Sequence, residues 1–184
     1  MKVSEAFAAV DRREFLLPEH VEHYGVDAPL SIGHGQTNSQ PRTVADMLTL
    51  LDVRPGHRVL DIGAGSGWST ALLATLTGPE GAVLGVELVP ELVTFGSANL
   101  AKFDFPHASI RQATDDVYGL PAEAPFDRIL VSAQPRELPE ELVEQLHPDG
   151  VMVIPVAGTM LRVLADGSAT RHGLYRFVPL KPRR

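Results

Sequence analysis

The chain has 184 residues, 44% of them hydrophobic, and a formal net charge of −7 at pH 7. This length suits one domain with a sizeable core, and no apolar run approaches the roughly 18 residues of a membrane-spanning helix. The acidic balance argues against a duplex-binding protein, and the lack of cysteine excludes disulfides, thiolate zinc sites and cysteine nucleophiles. The basic tail 181–184 is interpreted as a solvated chain end. We expect a single domain over residues 1–184, located in the cytoplasm, with no membrane or nucleic-acid partner.

The first predicted element is an amphipathic helix over residues 3–17, which Pro18 is expected to stop. Its apolar residues share one face and are Val3, Phe7, Val10 and Phe15. His20 and His23 follow, three residues apart. Because no second cluster of ligands lies near them in the sequence, we interpret them as surface histidines and predict no metal site.

Residues 25–40 have no clear period and are predicted to form a long loop, which in a compact domain tends to be functional. The loop ends in a polar group composed of Gln36, Thr37, Asn38, Ser39 and Gln40. Pro41 then begins a predicted helix, so Ser39 or Gln40 lies at a helix start. Two interpretations are open: Ser39 caps the helix, or Thr37, Ser39 and free N–H groups bind a carboxylate.

The stretch 59–68 combines a short apolar run with three glycines at every second position, Gly63, Gly65 and Gly67, and a helical pattern follows it to about Thr77. Glycines let a backbone approach a ligand closely, and a helix start offers free N–H groups, so this arrangement suits a nucleotide-like ligand. Trp68 occupies the third glycine position of the dinucleotide fingerprint, which excludes that pattern. A tight turn without a ligand is the alternative. The spacing, after a strand that contains Asp61, resembles that of S-adenosylmethionine-dependent methyltransferases.

A second apolar strand is predicted at 82–87 and ends in Glu87, whose carboxylate can accept hydrogen bonds from ribose hydroxyls. Further predicted elements are a helix from Pro90 to before Pro106, strands at 108–111, 126–132 and 151–155, a helix at 139–146, and hairpin arms at 161–164 and 174–178 around Asp166-Gly167. This order predicts an α/β fold, a doubly wound, mostly parallel Rossmann-like sheet with helices on both faces and a C-terminal antiparallel strand pair. The N-terminal helices and the acceptor-binding loop occupy 1–56, and the cofactor-binding sheet core occupies 57–184.

Several segments resemble the protein-L-isoaspartate O-methyltransferase family, and they occur in the family's order. The segments are 6–15, 27–41, 59–68, 124–132, 138–139 with 145–146, and 176–180. The glycine motif is shared with most methyltransferases, whereas Gln-Thr-x-Ser-Gln-Pro at 36–41 is specific to this family and favours the functional interpretation of Ser39.

The resemblance implies methyl transfer from S-adenosyl-L-methionine to the α-carboxyl of L-isoaspartyl residues in damaged proteins and peptides, which is protein repair. S-adenosyl-L-homocysteine is the product, and Ser39 is the catalytic residue that holds the carboxylate. The implied cofactor-binding residues are Asp61, Gly63, Ala64, Gly65, Ser66, Gly67, Glu87, Leu88, Thr114, Asp115 and Asp116. The implied substrate-binding residues are Gln36, Thr37, Asn38, Ser39, Ser132 and Gln134.

Each part of the cofactor has its implied partners. Asp61 and the glycines line the methionine portion, Glu87 binds the ribose, and Asp115 binds the adenine amine. A carboxylate is a nucleophile at neutral pH, so the reaction requires no general base. Loop 25–40 is expected to close over bound ligand, because a water-free site helps a transfer that neutralises charge. The protein is expected to act as a monomer.

Some positions depart from the family pattern, notably Asn38, Arg42 and Gln134-Pro135 around the acceptor site, Trp68, and 114–116 in place of Gly-Asp-Gly. An alternative interpretation is a related methyltransferase that acts on an aspartate carboxyl of a dedicated peptide to form an aspartimide. An alternative of another class is a non-catalytic domain that binds the cofactor or a partner.

Overall fold

The computed structural model describes residues 1–180, so the basic tail 181–184 lies outside the described residues. Seven strands form one sheet. The strands are β3 (Arg58–Ile62), β4 (Ala82–Glu87), β5 (Ala108–Gln112), β6 (Phe126–Val131), β7 (Leu146–Val156), β8 (Thr159–Leu164) and β9 (Ala169–Leu174). Their order across the sheet is β5-β4-β3-β6-β7-β8-β9. Strands β3 to β7 are parallel, and β8 and β9 are antiparallel, which confirms the predicted fold class.

The winding of the sheet reverses at β3. From β3 the chain proceeds outward through β4 and β5, and then returns to place β6 on the other side of β3. In an open α/β sheet such a switch point leaves a crevice beyond the carboxyl ends of the strands, where ligands bind. Ile62, Glu87 and Val131 end β3, β4 and β6 at that edge.

Within residues 1–180, five α-helices accompany the sheet: α1 (Val3–Ala9), α2 (Pro41–Leu51), α3 (Trp68–Thr77), α4 (Pro90–Leu100) and α5 (Glu140–Val143). Alternate residues of a strand face opposite sides, so Val59 joins one hydrophobic cluster and Leu60 the other. The first cluster contains residues of α1 to α4, whereas the second contains Leu142 of α5. Helices therefore cover both faces, but unequally. No helix in this described part is long and apolar enough to cross a membrane.

Two N-terminal expectations are corrected. The predicted helix over 3–17 is wrong, because α1 ends at Ala9 and Val10 takes an extended conformation with φ −116° and ψ 92°. Asp11 then accepts a hydrogen bond from the Arg13 N–H at 2.9 Å and begins a 3-10 turn, Arg12–Phe15, and a second 3-10 helix covers Pro18–His23. The loop 25–40 also contains regular structure, since β1 (Leu30–Gly33) and β2 (Gln36–Asn38) form an antiparallel hairpin.

Two C-terminal expectations are corrected as well. The helix predicted at 139–146 is only the single turn α5, and β7 begins at Leu146 rather than at Val151. The second hairpin arm is β9, not 174–178. The Ser168 N–H donates to Asp166 at 2.9 Å and Gly167 takes a positive φ of 82°, so the turn closes at once and pairing starts at Ala169.

Candidate active site

A pocket of about 1300 Å³ lies at the switch-point edge of the sheet. Its wall combines the glycine turn that follows β3, the end of β4, the loops after β5 and β6, and the start of α2. Of the residues expected from the sequence, those that line the pocket are 36–39, 63–66, Glu87, Leu88, 114–116 and Ser132. Asp61, Gly67 and Gln134 lie outside its wall.

The last glycine of the turn is required by packing. Gly67 has a positive φ of 89°, and a Cβ at this position would lie 2.8 Å from the carbonyl oxygen of Gly96 on α4. Gly96 faces the same restriction, because its Cβ would lie 2.7 Å from the carbonyl oxygen of Gly65. Gly67 thus brings the turn against α4 instead of lining the pocket.

Glu87 at the end of β4 is held by three backbone donors. Its Oε1 accepts from the N–H groups of Leu88 at 2.7 Å and Val89 at 2.9 Å, and its Oε2 accepts from Gly65 N–H at 3.0 Å. A carboxylate has about four acceptor positions, so one on Oε2 remains for a ligand. Glu87 therefore connects β4 to the glycine turn and offers an acceptor to the pocket.

Asp61 lies fully buried behind the turn. Its Oδ2 accepts from the hydroxyls of Ser69 and Thr70, each at 2.7 Å, while Oδ1 has no hydrogen-bond partner among residues 1–180. Burial raises the pKa of Asp61 to about 6, and the two hydroxyl bonds oppose that shift. Above this pH the residue is a buried anion, which favours a cation bound nearby.

Ser39 lines the pocket between β2 and α2 and is half-buried. The capping interpretation is wrong, since Gln40 is the N-cap residue of α2 and its side chain makes no capping hydrogen bond. The free N–H groups expected at the helix start are also fewer than predicted, because Pro41 has none and Arg42 N–H donates to Asp27 at 2.9 Å. The Ser39 hydroxyl makes no hydrogen bond within the described chain, so it is free to donate to a ligand.

The side of the pocket beyond β4 and β5 is formed by Thr114, Asp115 and Asp116 and continues to Gly119. Sequence reasoning missed the residue that shapes this loop, Gln145, which is 2% exposed. Its Nε2 donates to the carbonyl of Tyr118 at 2.8 Å, and its Oε1 accepts from Leu120 N–H at 2.8 Å. The family-like pair 145–146 was the only signal in the sequence that pointed to Gln145, and it indicated no contact with this loop.

The segment 173–180 also lines the pocket, although no site role was predicted for it. Gln134 pairs with it through the backbone, donating to Val178 O at 2.8 Å and accepting from Leu180 N–H at 2.9 Å. The Tyr175 hydroxyl donates to Asp46 on α2 at 3.0 Å. Burial and this bond raise the pKa of Tyr175. The family-like stretch 176–180 was the signal that could have found this segment.

Comparison with known proteins identifies the family of this chain. A family model described as Protein-L-isoaspartate(D-aspartate) O-methyltransferase (PCMT) matches residues 1–180. The protein-L-isoaspartate O-methyltransferase of Methanopyrus kandleri is 46% identical, over 97% of this chain and 83% of that protein. That of Thermococcus onnurineus is also 46% identical, over 97% and 84%. A crystal structure from Plasmodium falciparum, assigned to the same enzymes and solved with S-adenosyl-L-homocysteine, has a TM-score of 0.83 at 29% identity, over 97% of this chain and 89% of that chain.

A seven-stranded sheet of this order, with a glycine turn after β3 and an acidic end to β4, defines an S-adenosylmethionine-dependent methyltransferase of Rossmann-like fold. Within that class the match over residues 1–180 decides the group. The chain belongs to the protein-L-isoaspartate O-methyltransferase family. The family expected from the sequence is thereby confirmed.

Proposed function

We propose that this chain methylates the α-carboxyl of L-isoaspartyl residues in damaged proteins and peptides, with Ser39 as the residue that holds the carboxylate. One observation carries the proposal. The segment 36–39, which carries Ser39, and the glycine turn meet in a single pocket. There Asn38 donates a hydrogen bond to Ser66 at 3.1 Å. A donor site and an acceptor site must adjoin for direct transfer.

Different residues in and beside the pocket would bind different parts of the cofactor. Bound S-adenosyl-L-methionine supplies an electrophilic methyl group. The backbone of 63–66 and the remaining acceptor position of Glu87 would hold this cofactor, with Thr114 to Asp116 at its adenine end. Asp61 lies outside the pocket wall, so its contribution is the field of a buried anion on a cationic ligand, not a contact.

The Ser39 hydroxyl donates to one carboxylate oxygen and leaves the other oriented toward the methyl group. That oxygen would form the new bond to the methyl carbon while the carbon–sulfur bond breaks, and the electron pair of the broken bond would stay on sulfur. Since the carboxylate is already ionised at neutral pH, no side chain in the pocket has to accept a proton. Alignment and exclusion of water are the tasks left to the protein.

The alternative acceptor, a dedicated peptide aspartate, loses part of its support. Two of the departures from the family pattern that suggested it do not face the peptide site. The Asn38 side chain is hydrogen-bonded to Arg12 and Ser66, and Gln134 lies outside the pocket wall. Arg42 does line the pocket, and its side chain makes no hydrogen bond or ion pair among residues 1–180. The monomeric state and the cytoplasmic location remain predictions from the sequence.

The test is transfer of a labelled methyl group to paired peptides that carry isoaspartate or aspartate at one position. Wild type should methylate only the isoaspartyl peptide. Loss of one charge-assisted hydrogen bond in Ser39→Ala should lower kcat/KM roughly 10- to 150-fold and leave S-adenosyl-L-homocysteine binding unchanged. Ser31→Ala, in the same hairpin but outside the pocket wall, is the matched control. Transfer to the aspartyl peptide alone would overturn the repair function, and full activity of Ser39→Ala would overturn the role of Ser39.

A further inference from the structure

Asn38 joins two parts of the molecule through its side-chain amide. It is 4% exposed, its Oδ1 accepts from Arg12 Nε at 2.8 Å, and its Nδ2 donates to Ser66 Oγ at 3.1 Å. Arg12 is purely a donor, so the amide oxygen must face it and the amide nitrogen must face Ser66. The orientation of this side chain is thus determined from both ends.

Arg12 is the centre about which the acceptor loop folds. Its guanidinium is buried, lies 5.3 Å from the centre of the Trp68 ring and makes no salt bridge among residues 1–180. Its terminal nitrogens instead donate to the backbone carbonyls of Tyr24, Val26, Ala28, Asn38 and Ser39. Burial lowers the pKa of Arg12 to about 10, so the group remains a cation at neutral pH. Arg12 donates to the carbonyl of Ser39 at 3.1 Å, so this network positions Ser39 directly.

Ser66 belongs to the glycine turn and is anchored on its other side. Its carbonyl accepts from Asn99 Nδ2 on α4 at 3.0 Å. A second contact lies nearby, because the Cδ1 of Ile32, on the hairpin, is 3.3 Å from the position that a Cβ of Gly65 would occupy. The acceptor hairpin therefore rests on the glycine turn at two points, one polar and one apolar.

We propose that Asn38 is a positioning residue that couples the cofactor site to the acceptor site, so that ligand on the glycine turn orders the loop that carries Ser39. This inference rests on the proposed function. A ligand that restricts the turn restricts Ser66, and through the 3.1 Å bond it restricts Asn38 and the Arg12 network. The acceptor then binds to a loop whose freedom is already reduced, and by linkage the acceptor tightens cofactor binding by the same factor.

Variants can separate this coupling from simple support of the fold. Asn38→Leu removes the link with little change in size, and Ser66→Ala removes it from the other end. Asn38→Asp should preserve the link, because its carboxylate accepts from Arg12 and also from the Ser66 hydroxyl. Ser31→Ala is the matched control, since Ser31 lies in the same hairpin, outside the pocket wall, and makes no hydrogen bond to the turn.

The measurement is the dissociation constant of an isoaspartyl peptide, by calorimetry, without and with saturating S-adenosyl-L-homocysteine. In wild type, Asn38→Asp and Ser31→Ala the product should tighten peptide binding, roughly 5- to 150-fold as is typical of coupled sites. In Asn38→Leu and Ser66→Ala this factor should approach one, and the double variant should show no further loss. Hydrogen exchange of residues 25–40 should slow with the product in wild type and not in Asn38→Leu.

The outcomes also separate this inference from the proposed function. If wild type methylates the isoaspartyl peptide but Asn38→Leu and Ser66→Ala keep the full coupling factor, the inference is overturned and the function stands. If wild type shows no coupling, the inference is overturned as well. If wild type neither binds nor methylates the isoaspartyl peptide, both are wrong. Should Asn38→Leu not fold, the comparison of Ser66→Ala with Asn38→Asp decides.

Discussion

Two carboxylates at the carboxyl ends of neighbouring strands show how differently a residue can be held. Glu87 is bonded by three backbone N–H groups, whereas Asp61 has two hydroxyl donors on one oxygen and, within residues 1–180, none on the other. An under-satisfied buried anion costs free energy, and proteins retain it where its charge has a use. We propose that this use of Asp61 is the attraction of a cationic methyl donor in the adjoining pocket.

We predict that Asp61→Asn changes the pH dependence of stability. Between about pH 4 and 6 folded Asp61 keeps its proton while the unfolded chain has lost it, so the wild-type free energy of unfolding falls as the pH rises. The shift of about two pKa units corresponds to about 3 kcal/mol, and above pH 6 the loss is complete. Urea unfolding from pH 4 to 7.5 should show Asp61→Asn gaining about this amount relative to wild type. Asp104→Asn controls for the loss of one exposed charge, and a pH-independent difference at Asp61 would contradict the prediction.

Arg42 is expected to influence which isoaspartyl sequences are accepted. It lines the pocket, and its guanidinium makes no hydrogen bond or ion pair with residues 1–180. Exposed ion pairs contribute about 0.2–1 kcal/mol, so Arg42→Ser should lower kcat/KM up to about 5-fold for peptides with acidic residues beside the isoaspartate. Neutral peptides should be little affected, and added salt should reduce the difference. Arg171→Ser, on β9 outside the pocket, is the control, and an equal loss for both peptides would refute a charge effect.

At the scale of elements, the pocket depends on how closely the glycine turn approaches α4. The carbonyl of Gly96 and the backbone at Gly67 pack without room for a side chain, so helix and turn act as one unit. The hairpin rests on the other side of this turn through Ile32 and Asn38. The turn is thus held between two elements that come from opposite sides of it in the sequence.

We predict that Gly67→Ala is far more destabilising than alanine at a glycine with equal backbone strain. Positive φ costs about 1–2 kcal/mol for a non-glycine residue, and overpacking adds about 1–3 kcal/mol, so Gly67→Ala should lose roughly 2–5 kcal/mol. Gly56 also has a positive φ, of 83°, but a Cβ at this position would have nothing within 4 Å, so Gly56→Ala should lose only about 1–2 kcal/mol. Urea unfolding of both variants measures the difference, and similar losses would show that packing on α4 has no effect.

At the scale of the whole molecule, residues 1–56 and 57–180 share one core. Met47, Leu48 and Leu51 of α2 lie in the same hydrophobic cluster as Val59 of β3 and Leu72 of α3. Because this cluster crosses the boundary, the N-terminal part has no complete core of its own. This sharing supports the prediction of a single domain.

Unfolding of this chain should therefore be one cooperative transition. Fluorescence of the single tryptophan, Trp68, and far-ultraviolet circular dichroism should give the same midpoint. S-adenosyl-L-homocysteine at about one hundred times its dissociation constant should raise the free energy of unfolding by about 2.7 kcal/mol. Two separated transitions, only one of them shifted by the product, would show that the N-terminal part folds independently.

The sequence by itself determined the fold class, the glycine turn, the acid at the end of β4 and the position of Ser39 in the pocket. These features are local or topological. Strand, turn and helix follow one another within a few residues, and parallel strands place their carboxyl ends at one edge whatever their side chains do. The cofactor side could be recognised for that reason, as could the family.

Only the tertiary structure decided where the side chains of Asn38, Gln134 and Asp61 point. It also decided how residues 10–24 fold and which segment forms the second arm of the last hairpin. A side chain turns toward partners that the fold brings near it, and those partners lie far away in the chain. Asn38 meets Arg12, 26 residues before it, and Ser66, 28 residues after it. No local pattern encodes such pairs, because their energy exists only once the sheet has brought the segments together.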